Sequence, residues 1–80
     1  MMTADEAVAR ALAAVLVKGV RLRSTTPSMV KANQRLFAGG LGGRGWVVIF
    51  AVDYPEFPDH TFVSVDVVEP SGETHVFEAL

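Results

Sequence analysis

Eighty residues, nine of them acidic and seven basic, carry a net charge of −2 and no cysteine, so the chain is one small domain without a disulfide framework or a thiolate metal site. Half of the residues are hydrophobic and a fifth are charged, which excludes a disordered chain. A domain this short buries a modest share of its surface, and many such domains gain stability by oligomerising.

Near the N-terminus, Thr3 followed by Glu6 forms a capping box, and Asp5 adds a second acid at the positive end of a helix dipole. Ala4, Val8, Ala11, Leu12, Val15 and Leu16 then recur at helical spacing, Glu6 and Arg10 pair on the other face, and Gly19 supplies the stop. These features predict a helix over residues 4–18. The apolar run Ala11–Val17 has the size of a signal-peptide core, but Asp5 and Glu6 stand where a signal needs positive charge, and Lys18 closes the run without a cleavage site. It is also too short to span a bilayer. A soluble, cytoplasmic protein with no membrane partner is therefore expected.

Val20 to Ser24 has the alternation of a short edge strand, with Val20 and Leu22 inward and Arg21 and Arg23 outward. In the next segment Thr26 can cap, Pro27 suits a first helical turn and Gly39 can end it, which predicts a second short helix. Met29, Val30, Leu36 and Phe37 fall on one side of that helix, with Asn33 in the middle of the stripe.

Gly40-Leu41-Gly42-Gly43-Arg44-Gly45 fits G-x-G-x-x-G. A dinucleotide fingerprint must follow a strand and open a helix, whereas this one follows the second predicted helix and opens a strand. No lysine lies beyond it to complete a kinase-type site, and the Gly-Lys-Ser/Thr of a P-loop is missing. The stretch reads as a linker with Arg44 as its charged group, and no cofactor is expected.

The remainder is a strand meander: Trp46–Tyr54, a proline-rich connection, Thr61–Glu69, a turn at Pro70-Ser71-Gly72, and Glu73–Leu80. The turn suits a three-residue hairpin loop with Gly72 in the left-handed position. Pairing Tyr54 with Thr61 puts Trp46, Val48, Phe50 and Val52 on one face with Val63, Val65 and Val67, and the hairpin adds His75, Phe77 and Ala79. The helix is expected to cover this face. The opposite face mixes Ala51 and Phe62 with Val47, Ile49, Asp66, Val68 and Val76, the last five being the candidate interaction surface, and also carries Asp53, Ser64, Thr74 and Glu78. A slip of one residue would scramble this division.

Residues 1–44 hold all seven bases and two acids, net +5, while residues 45–80 hold seven acids and no base, net −7. Such segregation fits halves that neutralise each other, or a polar surface that steers a charged partner. Aromatic residues are not interleaved with the basic stretch Arg21–Arg44, and the whole chain is acidic, which counts against nucleic acid. Asp59 and His60 fall in the proline-rich turn with no nucleophile placed beside them, so a solvated turn is expected rather than a catalyst.

The order helix, linker, Gly45-Trp46-Val47-Val48-Ile49-Phe50, Val63-Ser64-Val65-Asp66, Ser71-Gly72-Glu73 resembles small helix-plus-meander domains of the PepSY type, and is similar also to small bacterial immunity-type domains. The resemblance implies an α+β fold and a non-enzymatic role. The expected architecture is an N-terminal helix on a three- or four-stranded antiparallel sheet. The expected function is a protein-interaction module of the immunity, inhibitor or accessory-regulator type, self-associating as a homodimer through the sheet or binding another protein. The alternative is a small-ligand site or enzyme pocket between helix and sheet near Trp46, His75 and Phe77.

Overall fold

The computed structural model describes residues 2–35 and 44–78, the side chains of 33–35 excepted. One helix, α1 (Ala4–Val17), is followed by β1 (Met29–Arg35), β2 (Arg44–Ala51), β3 (Phe62–Val68) and β4 (Thr74–Phe77). The strands form a four-stranded antiparallel sheet in the order β1-β2-β3-β4, with α1 against one face. This is the expected α+β architecture.

Both ends of α1 are set by local chemistry. Thr3 Oγ1 accepts a hydrogen bond from the Glu6 backbone N–H at 3.2 Å, satisfying one free donor of the first turn. At the other end Gly19 takes a positive φ of 74°, the Gly19 N–H donates to the Leu16 carbonyl at 3.0 Å, and the Val20 N–H donates to the Val15 carbonyl at 3.1 Å. That pair of bonds is the Schellman closure, and the Val15 and Val20 side chains are both buried beside it.

The helix meets the sheet along Ala7, Ala11 and Val15, each fully buried. Val8 and Leu12 flank this line and pack against the core, whereas Leu16 is 56% exposed and Ala4 lies in solvent. The buried stripe is thus rotated from the one expected, with alanines at its centre and larger residues at its margins. Small residues at the contact let a helix backbone approach its neighbour closely. Val48, Phe50, Val52, Val63, Val65 and Val67 form the sheet side of the core, as the alternation of β2 and β3 predicts. Trp46 packs at its margin, and its indole Nε1 is buried with no hydrogen-bond partner among the described residues.

Two expectations are corrected. The second helix is absent where it was expected to begin, because Met29–Arg35 is strand β1. Met29 pairs with Ile49 and Val30 with Val48, and the Ser28 N–H donates to the Ile49 carbonyl at 2.7 Å. The free edge of β2 offers this segment a hydrogen-bond ladder and Val30 a place against the core, which outweighs the local helix-start signal of Thr26-Pro27. Leu36, Phe37 and the glycines up to Gly43 lie outside the described residues, as does Ala79. The edge strand expected at Val20–Ser24 is reduced to a single bridge between Leu22 and Val52.

The second correction concerns register. Phe50 pairs with Val63 and Trp46 with Val67, two residues away from the pairing expected from Tyr54–Thr61. An even shift leaves every side chain of β2 and β3 on its expected face. In the β3–β4 hairpin, by contrast, the Val68 N–H donates to the Glu73 carbonyl at 2.8 Å, leaving a loop of four residues, Glu69–Gly72, rather than three. That odd shift turns β4 over. Thr74 and Val76 face the helix, and His75 and Phe77 face the other way.

Candidate interaction face

The sheet face away from α1 can be drawn row by row from the pairing. The first row holds Ala51 and Phe62, and the second runs Met29, Ile49, Ser64, Phe77. The third runs Lys31, Val47, Asp66, His75, and the last places Gly45 beside Val68 with Glu73 beyond it. The first two rows are apolar except for Ser64. A shallow depression of about 340 Å³ lies among Ser28, Met29, Ile49, Phe62 and Ser64. Met29 is 37% and Phe62 47% exposed, so among the described residues no element covers this half of the face.

The other half is polar. Lys31 stands exposed at the β1 edge, with no ion-pair partner among the described residues. Asp66 is buried between Val47 and His75 at 4% exposure. At the β4 edge His75 Nε2 lies 3.1 Å from Glu73 Oε2.

Of the five candidate interaction residues, Val47, Ile49, Asp66 and Val68 lie on this face. Val76 does not, because the four-residue loop turns it toward the helix, where it packs against the core. Met29, His75 and Phe77 belong to the face and were not assigned to it from sequence. The pocket expected near Trp46, His75 and Phe77 is not formed, since the sheet itself lies between Trp46 and the other two.

The β2–β3 connection builds a second feature. Tyr54 leaves the strand, and its hydroxyl accepts from the Arg21 N–H at 3.1 Å while the Arg21 guanidinium lies 4.4 Å over its ring and pairs with Glu56. His60 stacks on Phe57 at 5.2 Å and meets Tyr54 edge-on at 6.4 Å. An open cleft of about 470 Å³ beside them is lined by residues including Arg23, Asp53, Tyr54, His60 and Phe62. Asp59 is exposed next to it. Half-buried His60 is thus a packing residue of an aromatic cluster, where a solvated turn was expected.

Gly45 pairs with Val68 inside the sheet, so the last glycine of the G-x-G-x-x-G stretch belongs to a strand and not to the start of a helix. Among the described residues no group of three or more His, Cys, Asp or Glu could hold a metal ion, and no helix is long and apolar enough to cross a membrane. No family model, curated protein or solved structure matches this chain.

Proposed function

We propose that the chain is a small non-enzymatic protein-interaction module, of the immunity, inhibitor or accessory-regulator kind, acting in the cytoplasm through the outer face of its sheet. The observation that carries this reading is the apolar half of that face, where Met29 and Phe62 are exposed and Ile49, Ala51 and Phe77 half-buried, beside a row of charged groups. An apolar patch with a polar border is the usual form of a protein contact surface. The resemblance to helix-plus-meander domains of the PepSY and immunity types supports the same class of role.

Photo-crosslinking tests it. A benzophenone amino acid is placed at Ile49 or, as a control, at Ala13 on the exposed side of α1, and the full chain is irradiated in its host cells. Adducts from position 49 that are missing from position 13 support the reading. Equal labelling from both positions, or none from 49, overturns it.

A second reading, small-ligand binding, has in its favour the cleft where Arg23, Asp53 and His60 converge. A ligand there would raise the melting temperature of the wild type and not that of Arg23→Ala.

A further inference from the structure

The partner's identity follows from how charge and size are distributed across the outer face, given the interaction reading above. Because the strands lie in the sheet in chain order, the separation of charge along the sequence becomes a separation across the sheet. Strand β1 belongs to the basic half of the chain and carries Lys31 outward. Strands β3 and β4 belong to the acidic half, and Glu73 projects beside His75 at the opposite edge. Among the described residues the ion pair between the two halves is Arg21–Glu56, away from this face, so Lys31 has no ion-pair partner there and the exposed Glu73 is met only by its neighbour His75.

We infer that the partner is a second copy of this chain, docked face to face about a two-fold axis parallel to the strands. That axis exchanges the two edges of the sheet. It lays Lys31 of each copy over the Glu73–His75 edge of the other, giving two identical attractive contacts. A two-fold axis across the strands would instead stack each edge on itself and leave Lys31 without an acid.

Side-chain size selects the same axis. Exchanging edges within each row sets Ile49 over Ser64, Phe62 over Ala51 and Met29 over Phe77. Large residues then meet small ones across the middle of the interface, and two flexible or flat side chains meet at its margin. Val47 falls over Asp66, which is already withdrawn from solvent. The perpendicular axis through the second row would put Ile49 on Ile49 and Met29 on Met29. Interdigitation of unequal residues is how stacked sheets fill the space between them.

The contact is small. Four strands about 4.8 Å apart and seven residues about 3.3 Å each give a flat face of about 400 Å² per copy, below the about 800 Å² typical of a stable complex. The dimer is therefore a concentration-dependent one, and electrostatic pairing at its two ends decides its orientation.

Charge reversal reads that orientation directly. Lys31→Glu and Glu73→Lys are each exposed-site changes, and circular dichroism should show that both variants keep the fold. Light scattering over a micromolar to millimolar range, at low salt, should show a wild-type dimer that each single variant weakens about tenfold, since both symmetric contacts become repulsive. Mixing the two single variants restores association, as a heterodimer with two attractive contacts. A wild type that stays monomeric throughout overturns the second-copy assignment, while crosslinks from position 49 to a chain of another mass would leave the interaction reading standing. A dimer indifferent to both reversals overturns the arrangement.

Discussion

Arg10 of α1 lies directly over Gly72 of the β3–β4 loop: a Cβ placed on Gly72 would come within 2.5 Å of the guanidinium. Nearby the Met2 N–H donates to the Glu69 carboxylate at 3.0 Å, so the helix start and this loop are joined at two points. Gly72 itself is buried and holds a φ of 80°, where an L side chain is strained.

Gly72→Ala should therefore cost about 1–2 kcal/mol in urea unfolding, nearly all of it from the backbone, because the Arg10 guanidinium is the end of a flexible, exposed side chain and can swing aside. In an Arg10→Ala background the same change should cost the same to within about 0.5 kcal/mol. A cost that falls by more than about 1 kcal/mol when Arg10 is removed would mean that the guanidinium is held on the loop.

Gly19 gives the matching control. Its φ is 74° but nothing lies within 4 Å of an added Cβ. Gly19→Ala should cost about 1–2 kcal/mol, with no dependence on any neighbouring side chain. A neutral result would show that the helix does not end in the left-handed conformation.

The alanine-centred contact between α1 and the sheet predicts an asymmetry between two neighbouring positions. Ala11 is fully buried and Ala13 is exposed. Ala11→Leu should lift the helix from the core and cost about 1–3 kcal/mol, enough to matter in a domain this small. Ala13→Leu should shift the melting temperature very little. Comparable melting of both variants would place a different helix face on the sheet.

How these elements could be read from the residues differs from place to place. The helix was legible because its cap, its periodicity and Gly19 all agree. The faces of β2 and β3 were legible because Trp46, Val48, Phe50, Val63, Val65 and Val67 alternate against polar or smaller neighbours, so even a two-residue error in register left them in place. Strand β4 offered no such constraint. Val76 and Phe77 are both apolar and Thr74 and His75 both polar, so either face suits the core, and loop length alone decided. Strand β1 was hidden by Thr26-Pro27, which resembles a helix start, although Asn33 in the supposed apolar stripe already argued against a helix there. As a result Met29, His75 and Phe77 were missing from the interaction face and Val76 was wrongly included in it.

Nucleotide binding provides a further check on the glycine stretch. With Gly45 held in the β2–β3 ladder, the motif has no helix N-terminus at its end. Millimolar ATP or NAD should change neither Trp46 fluorescence nor the melting temperature. A saturable response abolished by Gly42→Val would reverse that conclusion.

The proposed homodimer uses the outer face of the sheet and not the helix. A dilution series followed by methyl NMR addresses it most directly, because Met29 and Ile49 report the outer face, and Ala11 and Val15 the interface with the helix. The Met29 and Ile49 methyl signals should move together as concentration rises from micromolar to millimolar, while those of Ala11 and Val15 stay still and Ile49→Lys removes the dependence on concentration. Signals that do not move at any concentration, or that move at Leu16 and Val17 on the exposed end of the helix instead, would contradict it.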